Sequence, residues 1–153
     1  MKNNVLKLIK YLYYFSLIAL LILYLFPGSL IGYFFYEDLG KQPNFISNPM
    51  GTSINHALAF LYLSTLGLIS HIRDKRFNQI IIFLIFLSII SEMAHYFVPN
   101  RSFQFLDLFA NLLGTFIAIF IIDLTEEKTL LTVLIHIPLS INQSRNFAPS
   151  DDE

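Results

Sequence analysis

Four long apolar stretches constrain this chain more than any other feature of its sequence. They run from about Leu6 to Phe26, Ile54 to Ile72, Phe77 to Phe97 and Phe105 to Leu124. A helix needs roughly 20 mostly apolar residues to cross the hydrocarbon core of a bilayer. Each stretch is close to that length, and 55% of the chain is hydrophobic against 14% charged. The sequence therefore predicts an all-α, polytopic membrane protein with four transmembrane helices in one bundle.

The basic residues predict the orientation of these helices, because cytoplasmic loops carry an excess of Lys and Arg. Of the ten Lys and Arg residues, Lys41 and Arg101 fall on one side of the predicted helices and the other eight on the opposite side. We therefore expect both termini in the cytoplasm. The first stretch is longer than the apolar core of a typical signal peptide, so we expect a retained anchor.

We expect residues 1–128 to form the transmembrane domain and residues 129–153 to form a cytoplasmic tail. The polar stretch TEEK, residues 125–128, indicates the return to water. The tail contains TLLTVLIHIPLSI, an apolar run too short to cross a bilayer, so the pattern favours a short interfacial segment. The last residues, ending APSDDE, are polar and are predicted to be disordered.

Composition excludes several kinds of site. The chain has no cysteine, so it forms no disulfide, thiolate metal site or thiol nucleophile. Its net charge is −1 and no basic patch with interleaved aromatic residues occurs, which argues against a nucleic-acid partner. No phosphate-cradling glycine loop and no motif of a serine hydrolase or zinc protease occurs either. We expect a non-enzymatic protein without a cofactor, in contact with membrane lipids.

A polar cluster interrupts the apolar pattern, and in the expected topology all of it falls at the outer leaflet. Its members are His56, Glu92, His95, Arg101, Asp107 and Asn111. Charged groups inside a membrane cost about 2.5–3.5 kcal/mol each, so they are rare and usually paired. Since guanidinium and carboxylate match geometrically, we expect Arg101 to pair with Glu92 or Asp107.

Two small residues continue the stripe that carries part of this polar cluster. Asp107, Asn111, Gly114 and Ala118 follow the steps of one face of the fourth helix. Gly and Ala let another helix approach closely, because they add little bulk. Gly114 and Ala118 are therefore predicted helix-packing positions.

Three interpretations of the polar cluster stay open. It can be a structural clamp that joins the third and fourth helices. It can be a ligand site, in which Arg101 faces a cavity open to the outer leaflet and binds a polar or anionic headgroup. It can also be a metal site of His56, Glu92 and His95, with Asp107 as a further candidate ligand. The last would suit a metal-dependent membrane hydrolase or transferase, and a small structural subunit with a membrane-protein partner is a further alternative.

The segment of about residues 50–120 resembles the VanZ-like family of small membrane proteins. In that family an E-x-x-Q-x-F-x-P-x-R segment precedes D-x-x-x-N-x-x-G. This chain has, at matching positions, Glu92, Phe97, Pro99, Arg101, Asp107, Asn111 and Gly114. His56 resembles the earlier motif histidine of the family. Two positions differ, since His95 stands where Gln is usual and Ser53 where Lys is usual.

The resemblance implies a four-helix protein of the bacterial inner membrane that acts in the cell envelope. The namesake of the family is linked to low-level resistance to the glycopeptide teicoplanin, and we do not carry that property over to this chain. The ligands that we expect are an envelope lipid, a lipid-linked cell-wall precursor or a glycopeptide-like group.

Overall fold

The computed structural model consists of helices and their connections. It describes the backbone of residues 2–41, 51–72 and 74–145 and the side chains of residues 4–41, 53–72 and 74–125, and these ranges contain no strand. The elements are α1 (Lys2–Leu25), α2 (Leu30–Tyr36), α3 (Gly51–His71), α4 (Phe77–Met93), a 3₁₀ turn (Ala94–Tyr96) and α5 (Phe105–Arg145).

Four of these helices are long and apolar enough to cross a membrane. The candidate spans are Asn4–Leu25, Ser53–His71, Phe77–Tyr96 and Phe105–Thr125. Many of their apolar side chains face outward, as lipid contact requires, and Phe105 is 79% exposed. The prediction of an all-α chain with four helices of membrane-spanning length is confirmed.

Helix α5 continues past the point where the sequence predicts its end. The polar stretch 125–128 closes the candidate span but not the helix, which runs to Arg145. The reason is that Glu and Lys favour helix and that neither Gly nor Pro occurs between Gly114 and Pro138. The predicted interfacial segment, residues 129–141, is therefore helical backbone, and the end of the chain beyond Arg145 lies outside the described residues.

The chain divides into two compact units, Met1–Phe120 and Ile121–Glu153. The first unit contains helices α1 to α4 and the first part of α5, together with the whole polar cluster. The second contains, within the described residues, the rest of α5. The boundary lies inside a continuous helix.

Helix α3 supplies much of the core of the first unit. It packs against α1 and α4, and its side chains Phe60, Leu63 and Leu68 are fully buried. Small polar residues pack beside them, and the Ser64 hydroxyl donates a 3.3 Å hydrogen bond to Oγ1 of Thr115 on α5. Such short polar side chains allow close contact between apolar helices, because they add little volume and bond across the interface.

The segment after α1 folds back on itself. Gly28 has φ +97, and the backbone N–H of Ser29 donates to the carbonyl of Leu39 at 2.7 Å. The Ser29 hydroxyl caps α2 by accepting from the N–H of Gly32 at 2.9 Å. Gly32 also lies so close to the carbonyl of Lys41 that a Cβ would collide with it. Segment 28–41 is thus closed by its own hydrogen bonds.

Candidate functional site

The structure brings the predicted polar residues together at one end of the helices. His56 lies near the start of α3, Glu92 at the end of α4, His95 in the 3₁₀ turn, and Asp107 and Asn111 in the first turns of α5. Each of the five is at most 9% exposed. They come from elements far apart in sequence. Because all five are buried, the free-energy cost of burying their polar groups must be offset by contacts with one another.

Glu92 is completely buried and is held through one of its two oxygens. Oε1 accepts a 3.0 Å hydrogen bond from the backbone N–H of Gln104, just before α5 begins. Oε2 lies 3.2 Å from Nδ1 of His95 and 3.9 Å from Nδ1 of His56, and it accepts no well-formed hydrogen bond from the described residues. The carboxylate therefore joins the ends of two helices while one oxygen keeps bonding capacity.

Asp107, like Glu92, is held through one of its two carboxylate oxygens. The Ser53 hydroxyl of α3 donates to Oδ1 at 2.5 Å, and Oδ2 lies 3.9 Å from Nε2 of His56. The carboxylate also lies in the first turn of α5, where the positive end of the helix dipole favours a negative charge. Asp107 thus faces His56 with the oxygen that Ser53 does not bind.

Arg101 does not form the predicted ion pair with either carboxylate, and that expectation was wrong. Its Nη2 donates to the carbonyl of Gly28 at 2.6 Å and to that of Leu23 at 3.2 Å. In a continuing helix the Leu23 carbonyl would accept from residue 27, but that residue is Pro27 and has no N–H. The guanidinium therefore binds the Leu23 carbonyl, which the proline leaves without a helical partner, and the Gly28 carbonyl in the turn that follows.

Arg101 still has bonding capacity of its own. Its Nε is buried and has no hydrogen-bond partner among the described residues. Burial lowers the pKa of the guanidinium below its ordinary value, whereas the nearby carboxylates of Glu92 and Asp107 raise it. An arginine remains protonated under such influences, so the side chain presents a positive charge and an unused N–H group.

Tyr24, which is not among the predicted site residues, connects the members of the polar cluster. Its hydroxyl donates to Oδ1 of Asn111 at 3.0 Å and lies 2.9 Å from Nδ1 of His56. Nε2 of His95 donates to the Tyr24 backbone carbonyl at 3.2 Å, and the two rings stack. Asn111 in turn donates from Nδ2 to the carbonyl of Ser88 at 3.3 Å. The sequence did contain a signal for this role of Tyr24. It is a polar aromatic residue in the last turn of the first span, at the level of the polar cluster.

The two predicted packing positions lie against α3 or deep in the core. A Cβ on Gly114 would collide with the carbonyl oxygen of Ala57 and would lie 2.8 Å from the backbone nitrogen of Leu61. Ala118 is fully buried. Helices α3 and α5 therefore approach backbone to backbone, and this approach sets the distance between His56 and Asp107.

The groups able to converge on a metal ion are not the predicted set of His56, Glu92 and His95. One donor atom each from His56, Glu92 and Asp107 lie within 4.8 Å of one another. His95 does not join them, because its ring lies against Glu92 and bonds to the backbone of α1. Asp107, which the sequence suggested only as a further ligand, takes its place.

A cavity of about 320 Å³ adjoins the polar cluster. One part of its wall is apolar and comes mainly from α1 and α3, while the other part is polar. Representative lining residues are Phe15, Leu23 and Leu63 on the apolar side and His56, His95 and Arg101 on the polar side. Such a cavity can accept a molecule with an apolar body and a polar or charged end.

Comparison with models of known protein families, with curated proteins and with solved structures finds no match to this chain. The resemblance to the VanZ-like family stays a prediction. The fold and the site define a small helical protein with four helices able to span a membrane and a buried polar cluster beside a cavity. Its function has to be inferred from the chemistry of that cavity.

Proposed function

We propose that this protein is a non-enzymatic protein of the bacterial inner membrane that binds an amphipathic ligand with an anionic headgroup. The ligand is an envelope lipid or a lipid-linked cell-wall precursor, with its apolar chain along α1 and its headgroup at Arg101. The observation that carries the proposal is a cation at the polar end of an apolar cavity, without an ion pair to any described carboxylate.

The apolar wall supports a lipid rather than a soluble anion. Phe15, Ala19 and Leu23 follow one face of α1 along the cavity, and Leu63 of α3 lies across from them. A free anion would need polar partners on several sides, whereas an acyl or prenyl chain is stabilised by such a surface. Arg101 lines the cavity, and its guanidinium can bind a phosphate or carboxylate group at the end of that chain.

The orientation and compartment belong to the same proposal. The excess of Lys and Arg at the other end of the helices favours cytoplasmic termini, with the polar cluster toward the outer leaflet. The resemblance to VanZ-like proteins favours a bacterial envelope. A ligand would then enter from the outer leaflet, where lipid-linked cell-wall intermediates are used.

A structural clamp is the second candidate role of Arg101, and one observation favours it. Nη2 bonds the end of α1 to the turn before α5 through the carbonyls of Leu23 and Gly28. This clamp differs from the predicted one, since it joins α1 rather than α4 to the turn before α5. Clamp and ligand site can coexist, because different nitrogens of the guanidinium serve them.

Native mass spectrometry of protein extracted in mild detergent tests the proposal. We expect wild type to carry anionic lipid and Arg101→Gln to lose at least about tenfold in affinity, because a buried charge pair loses one partner. Arg76→Gln is the matched control, since this arginine is exposed at the other end of the helices.

A second variant separates the ligand site from the clamp. Ala19→Phe places a ring in the apolar part of the cavity and leaves Arg101 and its carbonyl partners untouched. We expect this variant to fold, to insert and to lose the lipid. If both Ala19→Phe and Arg101→Gln retain lipid like wild type, the proposed function is wrong. If Arg101→Gln unfolds while Ala19→Phe retains lipid, only the clamp remains.

A further inference from the structure

We infer that His56, Glu92 and Asp107 form a binding site for a divalent metal ion of the zinc type. The inference does not depend on lipid binding in the cavity. It rests on the directions of the hydrogen bonds around the three side chains and on the unused oxygen of a fully buried carboxylate.

The hydrogen bonds fix which nitrogen of His56 carries the proton. Asn111 donates from Nδ2 to the Ser88 carbonyl, which can only accept, so its Oδ1 faces Tyr24. Tyr24 must then spend its one hydroxyl proton on Oδ1 of Asn111. At 2.9 Å from His56, the Tyr24 oxygen can therefore only accept, and the donor is Nδ1–H of the imidazole. A neutral His56 keeps its lone pair on Nε2.

That lone pair lies nearest to a carboxylate oxygen of Asp107. Nε2 of His56 lies 3.9 Å from Oδ2 of Asp107. One donor atom from each of His56, Glu92 and Asp107 fall within 4.8 Å of one another. Three electron-pair donors that face each other repel, and a cation between them turns the repulsion into coordination.

All three side chains share one arrangement, in which one polar atom is anchored and the other is turned inward. Tyr24 anchors Nδ1 of His56, the backbone N–H of Gln104 anchors Oε1 of Glu92, and Ser53 anchors Oδ1 of Asp107. We take Nε2, Oε2 and Oδ2 as the inward atoms. Oδ2 lies 3.9 Å from Nε2, and Oε2 lies 3.9 Å from Nδ1 of the same ring and is buried without a hydrogen bond from the described residues. Metal ligands in proteins are oriented in this way by outer contacts.

The charges around the site also favour a divalent cation. Glu92 and Asp107 bring two carboxylates into a buried place, and Arg101 is engaged with the carbonyls of Leu23 and Gly28. The other basic neighbours are His95, whose Nδ1 lies 3.2 Å from Oε2 of Glu92, and His56, whose Nε2 at 3.9 Å is too far from Oδ2 of Asp107 for a hydrogen bond. A divalent ion balances both carboxylates and uses all three inward atoms.

The donor set points to zinc rather than to calcium or magnesium. One imidazole nitrogen and two carboxylate oxygens suit Zn²⁺, whereas Ca²⁺ and Mg²⁺ prefer oxygen alone. Zinc binds such atoms at about 2.0–2.2 Å, so the three donors need to contract by less than about 1 Å. The fourth position would face the adjoining cavity, because His56 lines its wall.

Metal binding to the full chain tests this inference. Purified protein is stripped with a chelator, titrated with Zn²⁺ in detergent and analysed by elemental mass spectrometry and thermal unfolding. We expect one zinc ion per chain, a metal-dependent rise in Tm, and a loss of at least about 100-fold in affinity for His56→Gln, because even outer contacts of a metal site contribute 10–100-fold. His71→Gln, at a buried histidine in the last turn of the same helix, is the matched control and should bind zinc like wild type.

Asp107→Asn keeps the test decisive if His56→Gln fails to fold. Asparagine retains an oxygen that accepts from Ser53, so the variant should fold and lose zinc. Wild type without zinc above the level of His56→Gln or Asp107→Asn would overturn the inference. Equal zinc in wild type and Asp107→Asn would overturn it as well, since binding would then occur elsewhere. Lipid content is measured separately, so either proposal can fail alone.

Discussion

Two buried histidines on α3 differ in how their nitrogens are satisfied. His71, in the last turn, is 4% exposed and uses local partners, since Nδ1 lies 2.7 Å from the Ser70 hydroxyl and 3.0 Å from the Gly67 carbonyl. Its ring packs edge-on against Tyr13 and Tyr14. His56, near the first turn, lies between α1, α4 and α5 and is flanked by two carboxylates.

The comparison teaches that burial of a histidine is not by itself a sign of function. A ring such as that of His71 is accommodated by its own helix and by aromatic neighbours. The surroundings of His56 are more costly to bury, because charged groups from separate helices meet there. The end of the helices that contains His56 is therefore where ligand or metal chemistry is to be sought.

Cysteine labelling gives the largest expected difference between the two ends. The chain has no cysteine, so Ser102→Cys and Lys75→Cys each introduce the only one, at exposed positions near His56 and His71 respectively. With a membrane-impermeant maleimide, we expect Ser102→Cys to react in intact cells and Lys75→Cys to react only after permeabilisation. The opposite pattern, or equal labelling of both, would contradict the proposed orientation.

Two glycines give the next largest contrast. Gly114→Ala forces a Cβ into the backbone carbonyl of Ala57, so we expect a loss of about 3 kcal/mol in the free energy of unfolding. At Gly67 a Cβ would lie 2.9 Å from Cε2 of Tyr13, a side-chain atom rather than a backbone atom, and alanine favours helix. We expect Gly67→Ala to stay within about 1 kcal/mol of wild type. Unfolding in mixed micelles measures both, and equal losses would argue against close backbone packing of α3 and α5.

Two tyrosines give the smallest contrast. Tyr24→Phe removes a hydroxyl that accepts from His56 and donates to Asn111, so we expect a loss of about 1–3 kcal/mol in the free energy of unfolding. Tyr13→Phe keeps the edge-on ring contact with His71, and we expect less than about 1 kcal/mol. If zinc binds, Tyr24→Phe should also weaken zinc affinity about 10–100-fold, whereas Tyr13→Phe should leave it unchanged. A reversed order of stabilities would show that the network around His56 contributes little.

The four long helices and the polar cluster were predictable from the sequence, because each depends on a large free-energy term. Length and apolar content decide whether a segment can cross a bilayer, and charged side chains within such segments have to be compensated. The end of α5 was less predictable, since polar residues can end a membrane span without ending the helix. The short helix α2 was not predicted, because seven residues carry little periodicity and its start depends on the Ser29 cap.

The partners within the site could not be derived from residue types alone. Arg101 was expected to pair with a carboxylate, but it binds the Leu23 carbonyl, which Pro27 leaves without a helical donor, and the Gly28 carbonyl. The rule that a proline leaves the carbonyl four residues earlier without a donor was available in the sequence. Tyr24 is harder to foresee, because tyrosines near the ends of spans are common anchors at the membrane surface.

Segment 28–41 forms part of the cavity wall through Ser29 and Ile31, and its hydrogen bonds are largely internal. The closed shape of this segment is therefore set by its own hydrogen bonds and not by the helices around the cavity. Arg101 binds the Gly28 carbonyl at the start of this segment. A headgroup bound at the guanidinium would therefore meet the same side chain that holds the start of this segment, so that ligand binding and the cavity wall would depend on one residue.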